Sequence, residues 1–137
     1  MKTHISLPTT DLKKSVAFYT TLLDIAPAKH YDDYALFISE QPGLELALNH
    51  AESVARTNEA HYGIAAPSSD AVDAAIARLQ AAGLAIDIEV EETCCYAKQN
   101  KVWASDPDGR RWETYAVLEE VAPDSGSACA AASCCSI

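Results

Sequence analysis

The stretch His4-Ile5-Ser6-Leu7-Pro8-Thr9-Thr10-Asp11, leading into Leu12 to Leu23, decides the fold because the chain carries a second version of it. His4 to Pro8 reads as a short strand. Asp11 is placed to cap a helix in which Val16, Tyr19, Leu22 and Leu23 recur at helical spacing. The second version opens with His61-Tyr62-Gly63-Ile64-Ala65-Ala66. Ser68, Ser69 or Asp70 caps the next helix, Val72, Ile76 and Leu79 form its apolar stripe, and Gly83 stops it. Each helix begins about seven or eight residues after its histidine.

Three strand-like runs follow each helix. In the first half they are Ile25 to His30, Tyr34 to Ser39 and Leu44 to Asn49, with Gln41-Pro42-Gly43 as the last turn. In the second half they are Leu84 to Glu91, Lys98 to Ser105 and Arg111 to Leu118. Asp106-Pro107-Asp108-Gly109 makes the turn between the last two, Pro fixing φ and Gly supplying the permissive end. The pattern is βαβββ twice, an α+β fold whose two modules, about 1–52 and 58–120, form a cupped mixed sheet within a domain spanning 1–122. From residue 123 to 137, Ser, Ala, Gly and Cys dominate without periodicity, which predicts a disordered, Cys-containing tail.

Composition narrows the function. A hydrophobic fraction of 49% and a charged fraction of 22% fit an ordinary globular protein. No apolar run is long enough to span a bilayer, and patterned sequence begins at once after Met1, so a cytoplasmic location and no membrane partner are expected. The net charge of −10 and pI near 4.6 repel a phosphate backbone, which argues against nucleic acid as a partner. The five cysteines are odd in number and clustered, unlike a disulfide framework. No Ser–His–Asp spacing, Gly-rich phosphate loop or CxxC motif occurs.

Some polar residues break the apolar pattern of the strands. His4 and His61 open the first strand of each copy, and Glu113 lies on the last strand of the second. Two imidazoles and a carboxylate form a nitrogen–oxygen set suited to Fe, Mn, Ni or Zn, and on one face of an ion they leave positions open. Taken singly, each is as readily a surface or hydrogen-bonded residue; the matched histidines single them out. His30 and His50 read as exposed, and Glu45, on the equivalent strand of the first copy, as structural.

Cys94 and Cys95 are adjacent, a spacing that strains a disulfide between them. Two thiolates can hold one soft atom jointly, provided the backbone is irregular enough to aim both the same way, as in a loop beside a cleft. Alternatively they are two small buried hydrophobes. Lys98 and Lys101 would favour thiolates if they approach in space.

The βαβββ repeat with His4, His61 and Glu113, and the turn 106–109 before Trp112-Glu113, resemble the vicinal oxygen chelate superfamily over about residues 1–120. That superfamily includes glyoxalase I, extradiol dioxygenases and fosfomycin or bleomycin resistance proteins. Within it, Thr93-Cys94-Cys95-Tyr96-Ala97-Lys98-Gln99-Asn100-Lys101-Val102-Trp103 resembles the organoarsenical C–As lyases, which are related to cadmium-induced proteins. The resemblance implies an Fe(II)-dependent, dioxygenase-like enzyme that demethylates methylarsenite to inorganic arsenite. It also implies that Cys94 and Cys95 hold arsenic while His4, His61 and Glu113 hold iron, a place where the family uses Gln as well as His for the first ligand. The expected partners are a trivalent organoarsenical and dioxygen, and the expected state is a monomer or homodimer.

Two other classes compete: a thiol protein that sequesters arsenic or cadmium without turnover, and a ring-cleaving extradiol dioxygenase that does not need the thiols. Cys129 and the vicinal pair Cys134-Cys135 invite a relay of arsenicals toward the site, or are incidental thiols of the tail.

Overall fold

The computed structural model describes residues 1–56, 60–94 and 97–120, with side chains through residue 91 and from 97 to 118 in the second half. Cys95 and the tail bearing Cys129, Cys134 and Cys135 lie outside the described residues, as does the side chain of Cys94. The elements run β1 (Thr3–Thr9), α1 (Leu12–Leu23), β2 (Lys29–His30), β3 (Tyr34–Ser39), β4 (Leu44–His50), β5 (Tyr62–Ala65), α2 (Ser69–Ala81), β6 (Ile86–Cys94), β7 (Ala97–Ser105) and β8 (Arg111–Glu120). They form two sheets of four strands, ordered β1-β4-β3-β2 and β5-β8-β7-β6. In each, the first strand pairs parallel with the last, as a crossover through a helix requires. The expected α+β repeat is present.

One compact unit comprises Met1–Arg56 together with Ser105–Arg110. Asp11 caps α1 by accepting from the Lys14 amide at 3.1 Å. The helix buries Leu12, Val16, Phe18, Tyr19, Leu22 and Leu23, and it packs on β3 and β4, where Phe37, Leu46 and Leu48 are fully enclosed. Each such side chain contributes about 1.5–3 kcal/mol. Pro8 is tolerated in β1 because that strand is at the sheet edge. The expected strand from Ile25 shrinks to β2, because Asp24 ends the helix at φ 55° and Pro27 offers no amide to a ladder.

The turn 106–109 belongs to this first unit and is held by carboxylates. Asp106 accepts from the Tyr19 hydroxyl at 2.6 Å, from Arg110 Nη1 at 3.0 Å, and from the amides of Asp108 and Arg110. Asp108 Oδ1 accepts from the Thr10 hydroxyl at 2.7 Å and the Thr10 amide at 3.1 Å. Burial alone would raise the Asp108 carboxyl, but the Thr9 and Thr10 hydroxyls, the Thr10 amide and Arg110 outweigh it and hold it below its ordinary value. The direct donors at Oδ1 are those of Thr10, the Thr9 hydroxyl being bonded to Ser15 at 2.7 Å.

The described residues of the other unit fall within 57–104 and 111–137. Ser68 caps α2 by accepting from the Ala71 amide. At the far end, Leu84 N–H donates to Leu79 and Gly83 N–H to Gln80, with Gly83 at φ 74°, the paired closure that needs a left-handed residue. Val72, Ala75 and Leu79 are buried, and α2 packs on β8.

Strand β6 continues past its expected end at Glu91 and reaches Cys94, so the first thiol residue is at a strand end and not in a loop. The irregularity lies upstream. The β6–β7 register shifts between Glu89, which pairs with Lys101, and Glu92, which pairs with Gln99. Glu91 takes φ 53°, and its amide donates to Asn100 Oδ1 at 2.8 Å, while Asn100 Nδ2 donates to Ser69 at 3.2 Å. This β-bulge makes Cys94 the partner of Ala97; an unshifted ladder would put Thr93 there.

Because the folded Asp108 carboxyl lies below its ordinary value of 3.8, its contribution is complete above that pH and disappears as pH falls through the folded value. Asp108→Asn should therefore cost about 1–3 kcal/mol near neutral pH, and the gap to wild type should close below about pH 4. Urea unfolding between pH 3 and 7 measures this, and a gap independent of pH would contradict it.

Candidate metal centre

In both units the strand histidine lies seven residues before its helix cap, His4 before Asp11 and His61 before Ser68. Ser6 and Gly63 then correspond. Ser6 pairs with Ala47, whereas Gly63 pairs with Glu113. The place of Glu113 is thus taken by a buried alanine in the first unit. Glu45 pairs directly with His4 and is not the register counterpart of Glu113.

Within the second unit, His61 and Glu113 come together, with Nε2 3.6 Å from Oε1. That distance is too long for a hydrogen bond. It is close to the spacing of two donors that each lie roughly 2.0–2.2 Å from one ion. The Glu113 side chain is 12% exposed and that of His61 35%, so one donor is deep and the other reaches outward. The other carboxylate oxygen, Oε2, is shielded from solvent and accepts no well-directed hydrogen bond. The ammonium of Lys101 lies 3.3 Å from it, and that side chain is 1% exposed. The contact is therefore an ion pair of poor hydrogen-bond geometry.

Neighbours fix these groups. The Trp103 ring meets His61 edge-on, with centroids 5.1 Å apart and planes at 77°. Arg111 stacks 4.9 Å from the same ring, and Lys101 Nζ lies 5.8 Å from it. Gly63 leaves room for the carboxylate: a Cβ there would stand 3.2 Å from Glu113 Cγ and Oε1 and 3.3 Å from Tyr115.

The sequence reading nominated His4, His61 and Glu113. The structure brings the last two together, while His4 is an exposed residue of β1 in the first unit. Among the described residues no three His, Cys, Asp or Glu side chains gather as a ready metal group. The pair His61–Glu113, with a shielded carboxylate oxygen and a glycine cradle, is nevertheless a donor set that fits a divalent ion of the Fe, Mn, Ni or Zn type. Lys101, expected to favour thiolates, is committed to Glu113. A mid-strand lysine before Val102-Trp103-Ala104 was the sequence signal for a buried cation. His30 and His50 are exposed, as expected.

Two βαβββ units, each a mixed four-stranded sheet with one helix, define an α+β scaffold of the glyoxalase and bleomycin-resistance type. Residues 3–114 match the Glyoxalase/Bleomycin resistance protein/Dioxygenase superfamily, and the chain belongs to it. Among solved structures, a glyoxalase/bleomycin resistance protein/dioxygenase from Alicyclobacillus acidocaldarius superposes with a TM-score of 0.66 at 18% identity, covering 87% of this chain and 92% of that one. The fosfomycin resistance protein FosX of Listeria monocytogenes, complexed with Mn(II) and sulfate, gives 0.65 at 21% identity over 83% and 89%. These two likenesses concern the fold.

Sequence relatives are nearer. The trivalent organoarsenical cleaving enzyme of Bacillus sp. strain MD1 is 41% identical over 82% of this chain and 70% of its own length. That of Thermomonospora curvata is 36% identical over 93% and 87%. The cadmium-induced protein CadI of Mycobacterium tuberculosis is 40% identical over 87% and 78%.

Gly63→Ala should push the Glu113 carboxylate from its place and weaken Co(II) binding about tenfold or more, while the thermal melt moves little. Co(II) titration followed by visible absorption checks this; unchanged affinity would show that the cradle does not matter.

Proposed function

We propose that this protein is an Fe(II)-dependent, dioxygen-using enzyme that cleaves the carbon–arsenic bond of trivalent organoarsenicals such as methylarsenite, giving inorganic arsenite. The observation that carries the reading is the approach of His61 and Glu113 to 3.6 Å in a unit whose strand β6 ends at Cys94. Relatives named as trivalent organoarsenical cleaving enzymes, 41% and 36% identical, support it.

His4, His61 and Glu113 would hold the iron, which when bound supplies the place where dioxygen is activated. Cys94 and Cys95 would hold the substrate. Trivalent methylarsenic carries one carbon and two exchangeable hydroxyls. Each thiol gives its proton to a departing hydroxyl, so two As–S bonds form, two As–O bonds break and two waters leave. Arsenic stays trivalent through capture, and the methyl group is the one substituent the thiols cannot displace. Bidentate capture restricts where that group points, which turns bond cleavage into a matter of positioning. The burial of Glu113 and Trp103 keeps bulk water from the inner side of the donor pair.

The test is aerobic turnover of methylarsenite by protein loaded anaerobically with Fe(II), with arsenic species separated by chromatography. Wild type should form arsenite, and Cys94→Ser and His61→Ala should each be at least about a hundredfold slower. Tight arsenical binding without arsenite formation would replace this reading with sequestration. Catechol cleavage indifferent to Cys94→Ser would replace it with a ring-cleaving dioxygenase.

A further inference from the structure

We infer that Lys101 is a positioning residue that occupies one oxygen of Glu113, so that the carboxylate presents a single oxygen, on the His61 side, to a divalent metal ion. The inference rests on the reading above that Glu113 is a metal ligand. Its own basis is the pair of distances at that carboxylate: Oε1 is 3.6 Å from His61 Nε2, and Oε2 is 3.3 Å from Lys101 Nζ.

A lysine enclosed to 1% exposure is a large electrostatic commitment, since a buried ammonium must be paired. Here the described partner is one carboxylate oxygen, which water does not reach. The Trp103 face, 5.8 Å from the ammonium, adds a weaker attraction on the other side. The Glu113 side chain lies over Gly63, where an added Cβ would stand 3.2 Å from its Cγ and Oε1.

Two consequences follow for a bound dication. A carboxylate free at both oxygens can chelate one ion through both, and each extra protein oxygen occupies a position that substrate or dioxygen needs. With Oε2 held by Lys101, that second bond does not form. The ammonium also repels the dication, so the site binds metal less tightly than its ligands alone would allow. Lys101 thus exchanges metal affinity for open coordination.

Lys101→Met removes the charge and the donor at near-constant volume. Lys101→Gln removes the charge and keeps a donor for Oε2. Both variants and wild type are compared with Co(II) as the probe, after circular dichroism and thermal melts establish folding. The expected result is Co(II) binding at least about tenfold tighter in both variants. The visible Co(II) bands should shift with added azide in wild type and Lys101→Gln, and respond much less in Lys101→Met. Affinity unchanged or weakened in a folded variant would overturn the inference, as would an undiminished azide response in Lys101→Met. If Lys101→Met does not fold, the affinity of Lys101→Gln decides. Glu113→Gln separates the two levels: if it binds Co(II) as wild type does, the metal reading itself fails, whereas sensitivity to Glu113→Gln with indifference to Lys101 removes the present inference alone.

Discussion

A carboxylate enclosed in a β-sheet has to be compensated, and in the second unit much of the local structure answers to that requirement at Glu113. Its own strand is buried along the opposite set of positions too, at Trp112, Thr114 and Ala116, and meets α2. The paired position on β5 has to be glycine-sized, because a methyl group there would crowd the carboxylate. A cation has to come from β7, and Lys101 supplies it. The imidazole on the remaining side is steadied by Trp103, whose ring Arg111 also covers. None of these choices would suit an ordinary sheet interior, where all could be apolar at lower cost.

The first unit meets a similar requirement with different partners. Asp106 is fully served, by a tyrosine hydroxyl, a guanidinium and two amides, and Asp108 is served on one oxygen by Thr10. These are fixed donors, and they make a rigid corner. Glu113, like Asp108, has one oxygen without a well-directed donor, but the histidine facing its other oxygen stands beyond hydrogen-bond reach. What distinguishes the two places is the other oxygen: at Asp108 it accepts twice from Thr10, and at Glu113 it faces an imidazole nitrogen 3.6 Å away.

The features legible in the sequence are the local ones. Both helices, the cap at Asp11, a cap among Ser68, Ser69 and Asp70, the Gly83 stop and the 106–109 turn depend on residues within a few positions of one another, and all are in the structure, with Ser68 the second cap. The pairing of His61 with Glu113 was legible from the repeat, since matched histidines on matched strands drew attention to one sheet face. Less could be read where register decides. Lys101 looked like a neighbour of the thiols because it is close to them in the chain, yet β7 carries it to Glu113. The β6 bulge gave no glycine or proline to announce it; it rests on Glu91 adopting a left-handed turn and on one asparagine side chain. Strand β2 covers only the end of the run from Ile25 to His30, because Pro27 has no amide to give a ladder.

The bulge bears on how this hairpin tolerates change in length. Strand partners alternate with a period of two, so a shift of one residue exchanges the two sets of positions along a strand. Upstream, Asp87 and Glu89 are partnered with Trp103 and Lys101; downstream, Glu92 and Cys94 continue the same row opposite Gln99 and Ala97. The inserted residue thus acts as a phase corrector, carrying one row of partners from the start of β6 to the first cysteine. Losing one residue at positions 90–91 would leave a regular ladder in which Glu92 and Cys94 keep their partners Gln99 and Ala97. Losing both would bring Glu92 opposite Asn100 and Cys94 opposite Lys98, out of the row. Shortening of this arm at the bulge should therefore stop at one residue wherever the row is kept, a parity rule imposed by one backbone irregularity.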